Sequence, residues 1–227
     1  VFEPVLRPLV DPGPDDRGCW NSARIEYDLP GFKADDVFID IGCNVGGASY
    51  SAWEHGCRDI RAFEACPNNY AIGKQNIDRM EGAYLWNIAV VGAGRPKTMG
   101  FPAGNDSFFL PDHKLVDVRT TTLDEILLTI GKRVRFLKID CEGSEWEILY
   151  TCTKLDQIQE IKGEFHEPCL NWYALKQDPA LPSYDRHTLA AYLNGWGFDT
   201  EFDEPEIGLG NGPHGTDIIS GLFHAWR

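Results

Sequence analysis

The sequence predicts an α/β fold in which a parallel sheet carries helices on both faces. From Val37 onward, short apolar segments alternate with amphipathic ones, the pattern of repeated strand–helix units. The first unit, VFIDIGCNVGG over residues 37–47, runs apolar to Asp40 and then turns through glycines. At 227 residues the chain is long enough for one such domain with a sizeable core, and short for two.

Residues 1–30 are rich in proline and aspartate (VDPGPDDRG) and are expected to wrap the surface ahead of a single domain over 31–227. Val37-Phe38-Ile39 is too short for a helix and rich in β-branched and aromatic residues, so 37–41 reads as a buried parallel strand. The small and apolar residues from Gly47 to Trp53 suit a helix, near 46–55, packed closely on a sheet. Further strands are expected near 59–64, 83–90, 134–140, 159–166, 197–203 and 216–225. Helices are expected near 67–80, 122–130, 144–151 and 185–195. Pro67 suits a first helical turn, Thr122-Leu123-Asp124-Glu125 reads as a helix start with early acids, and Ser144 can cap the helix after it. Residues 92–121 break the rhythm, with a short hairpin expected around KTMGF, and 167–184 form a second irregular insert. Long irregular segments in a compact domain are often functional.

The glycine turn after the first strand aims helix N–H groups at a ligand. A dinucleotide fingerprint would place glycine where Asn44 stands, and a carboxylate at Asp40 would face a doubly charged pyrophosphate at a cost. S-adenosylmethionine carries an ammonium and a sulfonium and no phosphate, so the acid favours it. The next strand ends in Glu64, about 22 residues beyond Gly42, where a carboxylate can accept both ribose hydroxyls of an adenosine. Ala65 and Cys66 would then flank the adenine, and Asn87-Ile88-Ala89 would touch its edge.

The formal charge of −14 disfavours nucleic acid and anionic membrane as partners, because phosphate binding relies on Lys/Arg patches. No apolar run approaches the roughly 20 residues that span a bilayer, and no N-terminal segment has signal-peptide anatomy. Seven cysteines (19, 43, 57, 66, 141, 152 and 169) form no CxxC pair or zinc-ligand spacing, and read as reduced thiols in a cytoplasmic protein.

The segment Val134–Glu145 delivers Asp140 and Glu142 to the C-terminal rim of a buried strand, where open α/β sheets place their ligands. Taken together, FIDIGCNVGG, FEACPNN, TTTLDEIL and LKIDCEGSE resemble the FkbM family of S-adenosylmethionine-dependent methyltransferases. The resemblance covers roughly residues 35–166. It implies a class I methyltransferase (Rossmann-like) fold, a seven-stranded sheet with a reversed last strand. It also implies methyl transfer to oxygen on a sugar or natural-product hydroxyl. Asp40, Gly42, Asn44, Gly46, Glu64 and Asp140 stand at the family's motif positions, while Cys43 and Cys66 depart from its usual residues. An Asn/Asp-Pro-Pro-aromatic loop, used in many amine and base methylations, is absent after the fourth strand, which reads Asp140-Cys141-Glu142-Gly143.

Methyl transfer to an alcohol needs a base or a metal beside the acceptor. In IKGEFHE, strand alternation puts Glu164 and His166 on one face near Asp140. His166 is the expected base, since neutral imidazole titrates near pH 7. A divalent metal held by Asp140, Glu164 and His166 is possible and not favoured. His113, His187, His214 and His224 read as surface or core fillers. Trp172, Tyr173 and Tyr184 could wall an acceptor pocket, and Asn105–Phe109 could fold over the cofactor mouth. The expected activity is O-methylation of a small hydroxylated molecule; the alternatives are a cofactor-binding domain without turnover and a nicotinamide-dependent oxidoreductase.

Overall fold

A computed structural model describes residues 2–6, 16–102, 115–167, 178–204, 206–209 and 217–227. The main sheet is assembled from β1 (Val37–Ile41), β2 (Asp59–Phe63), β3 (Ala83–Trp86), β7 (Phe136–Ile139), β8 (Glu160–Glu167), β9 (Asp199–Phe202), β10 (Glu206–Leu209) and β11 (Asp217–Trp226). The helices are α1 (Asp16–Ile25), α2 (Gly47–Glu54), α3 (Pro67–Ile77), α4 (Leu123–Ile130), α5 (Glu145–Thr151) and α6 (Arg186–Gly195). β4 (Ala89–Val90), β5 (Thr98–Pro102) and β6 (Leu115–Thr121) form a separate three-stranded sheet in the order β4-β6-β5.

Across the main sheet the order is β3-β2-β1-β7-β8-β11, and β9 and β10 share the outer edge of β11. Pairing is parallel from β3 through β8, and β11 runs antiparallel to β8. This is the expected class I methyltransferase arrangement, with seven strand positions and the reversal at the end. The chain builds outward from β1 to β3 and then returns to lay β7 on the other side of β1. The C-terminal ends of β1 and β7 therefore border the topological switch point, where such sheets open a crevice.

Period-two alternation divides the core between the two faces. Ile39, Ile41, Leu137 and Ile139 face a cluster with Trp146, Leu149 and Phe165. Phe38, Ile60 and Phe136 face one with Trp20, Tyr27 and Ile77. The sequence reading contains no helix over residues 16–25, yet α1 forms there and packs on α2. Its Trp20 is buried with its ring centroid 5.2 Å from that of Tyr50. Gly47 permits the approach, since a Cβ there would lie 2.7 Å from the Trp20 carbonyl oxygen.

Local signals are largely realised. Pro67 opens α3, and Thr122 and Glu125 form a reciprocal capping box on α4. Ser144 occupies the N-cap position of α5, but its hydroxyl makes no capping bond. The strand expected over 83–90 is broken after Trp86, because Asn87 turns inward and donates through Nδ2 to the carbonyls of Glu64 (2.8 Å) and Ala65 (3.0 Å). Beyond it the chain leaves the main sheet, and β4 pairs with β6. The strand at KTMGF pairs antiparallel with β6.

Trp20→Ala is expected to lower unfolding free energy by about 3–5 kcal/mol in urea denaturation, the range for emptying a large buried aromatic site. A loss below about 1 kcal/mol would place α1 outside the cooperative unit.

Candidate functional site

A cleft opens at the switch point, where open α/β sheets place their ligands. Gly42, Asn44, Glu64, Ala65, Ala89 and Asp140 line it, as do Phe63, Ile88 and Phe101. One end is thus apolar and the other carries Asp140, Cys141, Glu142 and Ser144. Three further residues expected at the cofactor support this wall from behind. Asp40 is fully buried and accepts from Ser49 Oγ at 2.6 Å. Gly46 is the N-cap of α2 with φ +98°, and Asn87 fixes the end of β2 by the bonds described above.

Glu64 sits at the mouth of the glycine loop. Its Oε2 accepts from Asn44 N–H (2.9 Å) and its Oε1 from Cys66 N–H (2.7 Å). Burial pushes its pKa up to about 7, against the downward pull of those two bonds. Asn44 has a left-handed backbone, φ +52°, and its Oδ1 is buried with no hydrogen-bond partner. Gly42 has φ +74°, and a Cβ there would lie 1.7 Å from the Asp140 carbonyl oxygen, so β1 and β7 meet backbone to backbone at the cleft floor.

Lys138 is the residue that sequence reasoning missed. It is a lysine inside the otherwise apolar strand FLKI, and that charge on a buried strand was the available signal. Its side chain is 2 % exposed, and Nζ donates to Gly42 O at 2.6 Å. The same ammonium lies 3.3 Å from Asp40 Oδ1 and 3.6 Å from Asp140 Oδ2. Burial opposes its charge, but Asp40 foremost and then Asp140 outweigh that and hold its pKa above the ordinary value. Tyr27, at the exit of α1, donates to Asp140 Oδ2 at 3.0 Å. Burial and the nearby carboxylates keep its phenol protonated.

On the far side of Asp140 the structure brings Glu164 and His166 together, as the alternation along β8 predicts. His166 is 3 % exposed; its Nδ1 lies 3.3 Å from Glu145 Oε1, and its Nε2 lies 3.4 Å from Glu142 Oε2 and 3.6 Å from Glu164 Oε1. Burial lowers its pKa, but Glu145 first and then Glu142 and Glu164 raise it further, to a net value well above an ordinary histidine. The ring is therefore an imidazolium at neutral pH, which differs from the neutral base expected from sequence. That expectation used an isolated histidine, and three acids from α5, β8 and the turn before α5 surround the real one. Burial raises both Glu142 and Glu164 above the usual carboxylate range.

Tyr184 packs against the core instead of walling the cleft, its ring stacked on Trp146 at 5.7 Å. His224 faces Glu160 across the sheet at 2.8 Å, and His187 is exposed on α6. Asn105–Phe109, His113, Trp172, Tyr173, His214 and Cys169 lie outside the described residues. Among the described residues no helix is long and apolar enough to cross a membrane.

The sheet order and the switch-point cleft define the class I methyltransferase fold. The description "Methyltransferase FkbM domain" matches residues 40–194, and the chain belongs to that family of methyltransferases. No curated protein matches it by sequence. Among solved structures it is similar to the methyltransferase FkbM from Methylobacillus flagellatus KT (TM-score 0.53, 12% identity). The match covers 91% of this chain and 48% of that one, so this chain spans about half the length of that relative. It is also similar to the N-terminal domain of EvdMO1 in the presence of S-adenosylhomocysteine (SAH) and D-fucose (TM-score 0.52, 13% identity, covering 95% of this chain and 85% of that one).

Replacing Lys138 with Met leaves Asp40 buried without its cation. This should cost about 3–5 kcal/mol of unfolding free energy, and the double variant Asp40→Asn/Lys138→Met should recover most of it. A loss under 1 kcal/mol in the single variant would show that the ion pair does not hold the cleft floor.

Proposed function

We propose that the protein transfers a methyl group from S-adenosylmethionine to a hydroxyl oxygen of a small molecule. The observation that carries the reading is the junction of two environments in one cleft. A carboxylate and an orphaned amide oxygen stand beside an apolar wall, next to a cluster of acids and an imidazole.

The cofactor fits the residues present. Glu64 uses one lone pair of each oxygen on backbone N–H groups and keeps the others for a ribose diol. Phe63, Ala65, Ile88 and Ala89 offer low-polarity contact to an adenine, and Asn44 Oδ1 is a buried acceptor in need of a donor. Once bound, the cofactor supplies an electrophilic methyl on a sulfonium that departs as a neutral thioether. The chain's own task is to strip the acceptor's proton. Glu142 lines the cleft, and burial tunes its carboxylate toward neutral pH, where a base works best. We assign it the proton, with His166 as the adjoining cation that compensates its charge and Asp140 and Glu164 orienting the hydroxyl. The oxygen lone pair forms the new O–C bond while the C–S pair returns to sulfur.

A small acceptor suits the acidic rim and the net charge of −14 better than a nucleic acid does. No disulfide joins the described cysteines, which suits a reducing compartment such as the cytoplasm.

Glu64→Ala should weaken SAH binding by about 1.5–3 kcal/mol in calorimetry with the fold intact. Because Glu64 binds as the anion and titrates near 7, wild-type affinity should rise about tenfold from pH 6 to pH 8. Glu64→Gln should flatten that rise; a pH-independent wild type would take Glu64 out of the diol site.

Turnover, read as SAH released with a panel of sugars and hydroxylated natural products, separates an enzyme from a domain that only binds the cofactor. Glu142→Gln should lower kcat by roughly 10²–10⁴ with SAH affinity within about twofold. Wild-type turnover in that folded variant would move the proton elsewhere.

A further inference from the structure

We infer that Asp140, Glu164 and His166 form a site for one divalent cation of the Mn²⁺/Mg²⁺ class. Each offers a ligand atom, and all three atoms lie within 4.8 Å of one another. Cis ligands about 2.1 Å from an octahedral ion stand roughly 3 Å apart and trans ligands roughly 4 Å, so small side-chain adjustments close the set. His166 Nε2 and Glu164 Oε1, at 3.6 Å, already approach a cis spacing.

A second observation comes from the opposite edge of the imidazole. Glu145, fully buried on α5, faces Nδ1 at 3.3 Å, and the same Oε1 accepts from Cys141 N–H at 2.6 Å. A divalent cation arriving at Nε2 displaces its proton and takes over the charge compensation that the imidazolium supplies in its absence, while the Nδ1 proton stays toward Glu145, the usual support of a metal-bound histidine. Asp140 is oriented too: the contacts from Tyr27 and Lys138 both fall on Oδ2. An ion can therefore take Oδ1.

The donor set narrows the ion. Two carboxylate oxygens and one imidazole nitrogen, with no thiolate among them, suit Mn²⁺ or Mg²⁺ better than soft or tetrahedral metals. Three protein ligands leave positions for water and for an acceptor hydroxyl, the arrangement of a catalytic rather than a structural site. The surrounding charge agrees, because Asp40, Asp140, Glu142, Glu145 and Glu164 outnumber Lys138 and His166 around the cleft floor. The cation's role, binding the acceptor oxygen and acidifying its proton, rests on the methyl-transfer reading. The existence of the site does not.

The test is Mn²⁺ titration of the full chain followed by electron paramagnetic resonance, with SAH binding measured by calorimetry on the same sample. The wild type should bind one Mn²⁺ per chain, competed by Mg²⁺. Glu164→Gln and His166→Gln should each weaken it at least tenfold while SAH affinity stays near wild type. Should either variant fail to fold, Asp140→Asn provides the same readout. Lack of a one-to-one Mn²⁺ site in SAH-competent protein overturns the inference and leaves the methyltransferase reading standing. So does Mn²⁺ affinity unchanged in the folded variants. Absence of SAH binding beside a Mn²⁺ site removed by these substitutions supports the ion and sinks the cofactor reading.

Discussion

A single buried ammonium holds the cleft together. Lys138 projects from β7 beneath the glycine loop, where it neutralises Asp40 from β1, approaches Asp140 and bonds the Gly42 carbonyl. Taking such a charge out of water costs several kcal/mol, and only opposed charges and hydrogen bonds at close range can offset it. That requirement explains why Asp40 points inward, and Tyr27, just past α1, adds a hydrogen bond to Asp140. The glycine loop and the acidic rim of the cleft are set by one electrostatic knot.

Charge is then distributed along the cleft in order. Glu64 stands at the apolar end, held by backbone donors that keep its carboxylate in one orientation. Past Asp140 come Glu142, Glu145 and Glu164 around His166, a negative pocket built from β8, α5 and the turn that precedes α5. Such a pocket complements positive charge. The separation follows from topology, since β2 and β8 lie on opposite sides of the β1–β7 pair.

The sequence made legible what depends on local pattern. Alternating apolar runs placed the strands, Pro67 and the Thr122–Glu125 box placed helix starts, and the glycine turn with Glu64 and Asp140 placed the cleft. What it hid depends on neighbours that fold across long stretches of chain. Helix α1 lacks a continuous apolar run and owes its place to Trp20 meeting Gly47. Asn87, expected inside a strand and at the adenine edge, braces the end of β2 by its side chain. His166 looks like a neutral base until Glu145, distant along the strand-to-strand connection, is set against it. Spacing shows which residues share an element; it does not show which charges meet.

The placement of β8 bears on the order of assembly. β8 lies between β7 and β11, and its outer partner is supplied by residues 217–226, some fifty positions later in the chain. During synthesis, β8 therefore emerges with one edge unpaired. Such an edge is the species most open to off-pathway strand pairing. Closure by β11 is a long-range contact that comes late, because loop-closure entropy must be met before the pairing rewards it. Any slowing of translation or loss of chaperone protection over this interval would reduce the yield of competent protein without altering a single residue of the cleft.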